Sequence, residues 1–370
     1  MMKPSKNKIV GLVALLAVVL VLGGSQIVYS TMQATKRDSA PKPAQTVTGY
    51  LGGEKISLFD DPEFTRLLGE QGMKIDYRKA GSLDMMTSDR KGMDFLFPSS
   101  KAAVEYGKSK HVDVSKADTV FNSPIVLYTY RTVADSLCQS GLVSKYGDTY
   151  RMDMSKAVQA MLDGKSWSDV GYSQGYGQFH IDSTDPAKSN SGNMYAALLA
   201  TVLNDGQPAT VESIARDGDS IKQIFAKSGW METSSEDSFS QFLTLGVGSK
   251  PMMVGYESQL LDFAANNADS FQQIKDNVVM VYPTPTLWSS HVLVPLDSKG
   301  ERLLKILKSK SVQQLAWKSH GFRSANFLGS DSISRFHVSS AVEQVTAVTE
   351  LPDARAMTTL IDLLSQVSKP

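Results

Sequence analysis

The sequence predicts an α/β protein of two lobes, preceded by a transmembrane helix. Three observations predict it. A short apolar strand, a polar or glycine-rich break and a helical pattern recur along the chain, which is how sheets covered by helices are built. Two longer apolar strands, NSPIVLYTY at 122–130 and WSSHVLVPL at 288–296, flank a large insert and read as two chain crossings between lobes. Glycine, serine and asparagine concentrate at the carboxyl ends of the strands, where open α/β sheets bind ligands.

The elements follow in order. Lys3, Lys6 and Lys8 precede the uncharged run IVGLVALLAVVLVLGGSQIVY at 9–29, long enough to cross a bilayer as a helix. Positive charge on its amino-terminal side places the rest of the chain outside the cytoplasm. An uncleaved signal anchor over 1–30 is the favoured reading. The alternative is a cleaved signal peptide with its core at 9–22 and a cut near Gly23-Gly24-Ser25. A lipoprotein is excluded, because no cysteine follows the apolar core. Residues 31–46, polar and carrying Pro41 and Pro43, read as a disordered tether.

TVTGYL (46–51) leads through GGEK to a helical segment whose Pro62 suits a first turn. MKIDYRK leads to AGSLDMM, MDFLFP to SSKAAVEYGK, GQFHID (177–182) to STDPAKSNSGNMYAALLATVL, and KPMMVG to YESQLLDFAAN. This alternation implies largely parallel sheets.

Composition narrows the function. The 370 residues carry 38 basic and 38 acidic side chains, and a zero net charge gives no support for nucleic-acid binding. The single cysteine, Cys138, excludes an internal disulfide or a multi-cysteine zinc site and reads as a small buried residue. His111, His180, His291, His320 and His337 have no zinc spacing; His291, beside a crossing strand, alone invites inspection. No Walker A loop, no G-x-G-x-x-G and no identifiable carboxylate pair occurs, and Asp60-Asp61 reads as a helix start. Gly171-Tyr172-Ser173-Gln174-Gly175 matches G-x-S-x-G, but a nucleophile elbow needs a strand before it and a helix after it. LDGKSWSDV is too polar for that strand, and the following YGQFHID reads as a strand.

The small-residue loops carry the candidate chemistry. A helix starting near Ser191 leaves amides without partners. Ser189, Asn190, Ser191 and Asn193 can cap that end or lend donors to a bound group, and Gly192 permits close backbone approach. Ser99-Ser100 and Gly52-Gly53 repeat the arrangement before helices. Lys55 could pair with an anionic ligand or be a surface lysine. Glu54 and Glu257 could receive a ligand cation or merely favour a helix start. Tyr256 and Trp288 could form cleft walls or pack in a core.

In their order, GYLGGEKISLFDDPEF, DFLFPSSKAAVE, FNSPIVLYT, STDPAKSNSGNMYAALLA, KPMMVGYESQLLDFA, YPTPTLWSSHVLVPL and WKSHGFR resemble bacterial extracellular solute-binding proteins of the type II periplasmic-binding fold, over roughly 47–324. More narrowly, the chain looks like a membrane-anchored, substrate-binding-domain-like group. The resemblance implies one lobe from 47–128 with 285–345, a second from 129–284, and a hinge of two crossing segments. The tail 346–370 would add a helix to the first lobe. Ligand would bind between the lobes at Gly52–Lys55, Ser99–Ser100 and Ser189–Asn193, with Tyr256, Glu257 and Trp288–Ser289 near the cleft. Molybdate- and phosphate-type relatives hold oxyanions on comparable hydroxyl-rich loops, and this chain lacks their full patterns.

The expected function is a noncatalytic, exported receptor, tethered through 9–29, for a small ligand, an oxyanion or carboxylate before a cation. No cofactor is implied, and a membrane permease or sensor would be its partner. The alternatives are a membrane-anchored interaction module without a small ligand and, more distantly, a Ser173 hydrolase.

Overall fold

The computed structural model describes residues 44–325 and 332–365. The expected anchor at 9–29 and most of the tether lie outside them. Among the described residues, no helix is long and apolar enough to cross a membrane.

Among the described residues, eleven strands run β1 Gln45–Leu51, β2 Met73–Lys79, β3 Phe95–Phe97, β4 Asp118–Tyr130, β5 Val143–Tyr146, β6 Thr149–Asp153, β7 Met252–Tyr256, β8 Val278–Thr284, β9 Thr286–Pro295, β10 Arg323–Ser324 and β11 Val348–Thr349. They join in the order β2-β1-β3-β9-β4-β8-β6-β5, with β7 and β10 also paired to β4 and β11 to β9. The expectation of largely parallel sheets is corrected. β1–β3 and β6–β8 are parallel, but β4 pairs antiparallel with β7, β8, β9 and β10, and β3 with β9. The cause is the crossing pair itself: β4 and β9 traverse the molecule in opposite senses and bond along Asp118↔Leu293 to Pro124↔Trp288.

The buried cores divide where these strands cross. Val47, Phe64, Phe95, Val120, Phe121, Leu293, Ala316 and Phe322 belong to one core, and Met85, Leu96 and Val292 to a cluster on the same stretches of chain. Ile125, Leu127, Tyr195, Leu198 and Leu287 belong to another, flanked by a cluster holding Val126, Tyr128, Met253 and Leu260. The apolar side chains thus change allegiance between Phe121 and Ile125, and again between Leu287 and Val292. A third change falls between Phe322 and Ile333, since Ile333, Phe336 and Val342 pack with Tyr128 and Met280. The C-terminal helix Ala354–Leu364 also departs from expectation. Its apolar face, Ala356, Met357, Leu360 and Leu364, joins the core of the middle segment rather than that of the first lobe.

Two local expectations need revision. GQFHID is not a strand; it makes only the isolated bridges Ser166↔Gln178 and Asp182↔Met253, and its Phe179 is buried against Trp167. Cys138 is half-buried, at the edge of the core. Residues 171–175 lie in turns with Ser173 exposed, so the strand–turn–helix context of a nucleophile elbow is missing there. Pro62 does open a helix, Pro62–Glu70, with Asp61 accepting from the amides of Glu63 and Phe64 at 2.6 and 3.2 Å.

Candidate functional site

Four helix starts face one cavity of about 550 Å³. From the first lobe come the 3-10 turn Gly53–Lys55 after β1 and the loop after β2 that leads to Asp84–Thr87. From the second come the helices Asn190–Leu203 and Ser235–Leu245. The lining is 52–54, 79–82 and 84 on one side, and 188–190, 233–235 and 237 on the other. Ser189 and Ser234, at the cap positions of the two longer helices, make no side-chain capping bond. No side-chain cap therefore competes for their first-turn amides, where the helix dipole would favour an anion by about 0.3–1 kcal/mol.

The opposing walls touch. A side chain at Gly81 would meet the Lys188 carbonyl at 2.3 Å, so only glycine permits this backbone approach. Lys79 Nζ lies 3.3 Å from Asp237 across the gap. Asn190 Nδ2 donates to the Ser99 carbonyl at 3.3 Å and the Tyr256 hydroxyl at 2.9 Å.

Beneath the floor lies a buried polar network. Lys55, fully buried, donates to Glu54 Oε1, to Ser99 Oγ at 2.9 Å and to His291 Nδ1 at 3.2 Å. Three acceptors use all three ammonium protons. Phe97 covers the charge, its ring centroid 4.9 Å away. Ser99 Oγ also donates to Glu54 Oε1. Burial pushes the Glu54 carboxyl up, but the Lys55 charge and His291 overcome it and hold it well below the usual carboxylate range. Burial and the Lys55 charge push His291 down to about 4. A neutral imidazole accepting at Nδ1 carries its proton on Nε2, which has no partner among the described residues. Burial, with the Glu54 charge, pushes the Tyr256 hydroxyl up, so it stays protonated.

The sequence candidates separate by placement. Gly52, Gly53, Glu54, Ser189 and Asn190 line the cavity. Lys55 lies under it rather than in its wall. Ser99 and Ser289 hold the floor: Ser99 N–H donates to Ser82 Oγ at 2.9 Å, and Ser289 Oγ donates to the Ser99 carbonyl at 2.5 Å. Ser100 caps Lys101–Ser109 by accepting from the Ala103 amide at 3.2 Å. Ser191 and Asn193 brace the helix start, Ser191 Oγ lying 2.6 Å from Thr184 Oγ1 and Asn193 Nδ2 donating to the Ser189 carbonyl at 2.9 Å. Gly192 admits the 184–186 loop, since a Cβ there would meet the Thr184 carbonyl at 2.3 Å. Tyr256 is buried below Asn190. Trp288, half-buried, sits opposite Pro124 where the crossing strands pair. Glu257 faces elsewhere: Arg323 Nε donates to it at 2.6 Å and Tyr282 at 2.6 Å.

Lys79, Gly81, Ser82, Asp84, Lys188, Thr233, Ser234, Ser235 and Asp237 were not singled out from sequence. TSSED at 233–237 does carry a signal, hydroxyl residues followed by acids, which marks a helix start.

No protein-family model and no curated protein matches the sequence. Solved structures share its fold. The chain is similar to a periplasmic thiamin binding protein, with 10% identity, a TM-score of 0.60, and 90% of this chain and 98% of that one covered. It is similar to apo ferric ion-binding protein A of Pasteurella haemolytica, with 12% identity, a TM-score of 0.55, and 88% and 98% covered. It is also similar to the sulfate-binding protein SubI of Mycobacterium tuberculosis, with 14% identity, a TM-score of 0.52, and 85% and 96% covered. At these identities the likeness is one of fold. The described chain has the two-lobed α/β fold of the periplasmic and extracellular solute-binding proteins.

Proposed function

We propose that this chain is an exported receptor that captures a small polar ligand between its lobes, for uptake through a permease or for sensing. One observation carries the reading: helix starts from two separately cored regions converge on a single cavity of about 550 Å³, within the usual range for small-molecule sites. The solute-binding fold supports it, as do the ligands that its structural neighbours are named for. A cleft filled by its own side chains would instead have favoured the interaction module without a small ligand. Binding rather than catalysis fits a lining of glycine, serine and asparagine around helix amides. Residues 9–29 would tether the receptor to the membrane, with the lobes meeting near 122–124 and 288–291.

The anionic ligand expected from the sequence finds different donors here. The Lys55 charge is spent on Glu54. A carboxylate or oxyanion would lie against the starts of Asn190–Leu203 and Ser235–Leu245, with Lys79 and Lys188 at the rim. Among the described residues, no group of three or more His, Cys, Asp or Glu is placed to hold a metal ion, so we favour an organic ligand over a bare metal cation.

The test is retention. The full chain is dialysed against a small-molecule extract of its host, washed and denatured, and released compounds are identified by mass spectrometry. A defined compound should be retained at close to one per chain. Thr233→Trp should abolish this at unchanged thermal stability, because Thr233 is exposed and lines the cleft. Nothing retained, or equal retention by the variant, would defeat the reading.

A further inference from the structure

Two acceptor side chains, Asn190 and Glu54, line the cleft. Asn190 is 6% exposed and lines the cavity, yet its Oδ1 has no hydrogen-bond partner among the described residues. Its orientation is not arbitrary. The amide nitrogen must face the Ser99 carbonyl, 3.3 Å away, because a carbonyl only accepts. The second lobe thus brings an unpaired carbonyl oxygen to the floor. From the first lobe, the Glu54 side chain, 6% exposed, brings a carboxylate. Its Oε1 takes Lys55 and Ser99, while its Oε2 receives no hydrogen bond from the described residues. Ser99 ties the two together, its hydroxyl on Glu54 and its carbonyl on Asn190. A buried acceptor left unmade is costly. One such acceptor, Asn190 Oδ1, and the unpaired carboxylate oxygen of Glu54, from opposite lobes and joined through one serine, call for a donor between them.

We propose that the ligand presents a primary ammonium or a hydroxyl to Glu54 and Asn190, while its anionic group lies at the helix starts nearer the mouth. This rests on the receptor reading above and deepens it. The ligand class becomes an amino acid-like zwitterion or a hydroxylated acid or phosphate ester, in place of a bare oxyanion. The lining supports both ends, with Lys79 and Lys188 against Asp84 and Asp237. It offers no aromatic ring for stacking, since 52–54, 79–82, 84, 188–190, 233–235 and 237 include none.

Calorimetry on the full chain decides it with matched probes: β-alanine against propionate, glycerol 3-phosphate against propyl phosphate, and sulfate, phosphate and molybdate alone. A site built on buried acceptors rejects the donorless partner, by roughly 100-fold or more. The compound retained from host extract should likewise carry an N–H or O–H donor beside its acid. That preference should collapse in Asn190→Leu. It should collapse as well in Glu54→Leu/Lys55→Met, which removes the buried pair together and leaves no orphaned charge. Tight binding of a bare oxyanion, equal binding of donor and donorless partners, or a retained compound without a donor overturns the inference and leaves the receptor reading standing. Silence from every probe, with nothing retained from the extract, overturns both.

Discussion

Replacing Lys55 with methionine should be among the more damaging single changes in the chain, and the damage should vanish when Glu54 changes with it. The structure sets the magnitude. Lys55 is fully buried and the Glu54 side chain 6% exposed, so neither charge can turn to water when its partner goes. Removing one member of such a pair costs about 3–5 kcal/mol, whereas replacing both by apolar groups of similar volume is close to neutral. At about 2 °C per kcal/mol for a large domain, Lys55→Met should lower the thermal midpoint by about 6–10 °C. Glu54→Leu/Lys55→Met should return within about 2 °C of the parent. The sign of the pH dependence follows. In the parent, Glu54 is held below its ordinary value of 4.5, so its contribution is full above that value and fades as pH falls through the lower folded value. In Lys55→Met the Lys55 charge, the main influence that lowers the carboxyl, is gone, while burial, which raises it, stays. The deficit should therefore be largest near pH 7 and shrink toward pH 5, where Glu54 takes a proton. Urea and thermal unfolding of the parent, both singles and the double at pH 7 and pH 5 close the cycle. Additive single effects, or a Lys55→Met loss under about 1 kcal/mol, would refute the buried-pair argument.

Three further outcomes are expected. His291, pushed down from 6.5 to about 4, should stay neutral between pH 5 and 8 by proton NMR. Its stabilising contribution is complete above about 6.5 and is lost as pH falls toward 4; an imidazole titrating near 6.5 would contradict this. Gly81→Ala places a Cβ against the Lys188 carbonyl and should wedge the walls apart, raising the radius of gyration in small-angle scattering without lowering the unfolding midpoint of either lobe; an unchanged radius would mean the approach is not tight. Arg323→Met should cost about 3–5 kcal/mol, because Glu257 is fully buried, but should leave retention of a host compound intact in the folded fraction; lost retention at preserved stability would place Glu257 in the site.

Much of the architecture was legible because strand ends and helix starts leave local marks. The sequences around Gly52–Gly53, Ser99–Ser100 and Ser189–Asn190 each put small polar residues between an apolar strand or extended stretch and a helix, and five of those six residues line the cavity or, as Ser99 does with Asn190, bond to its lining. What stayed hidden depends on distant partners. Lys55 meets His291, 236 positions away, so its neutralisation has no sequence signature. The 79–84 and 233–237 loops are unremarkable until β2 and the Ser235–Leu245 helix bring them to one rim. Strand direction was misread because an apolar run such as PIVLYTY looks the same in a parallel or an antiparallel sheet. The C-terminal helix has an evident apolar face, but nothing local says which core will receive it.

Hydrogen exchange of the full chain, in buffer and in a small-molecule extract of its host, addresses convergence from both lobes directly. The account expects slowed exchange at the amides of 53–54, 190–192 and 235–237 together, and none of it in Thr233→Trp. Slowing confined to one lobe, or unchanged exchange at all three helix starts, would contradict a ligand held between them.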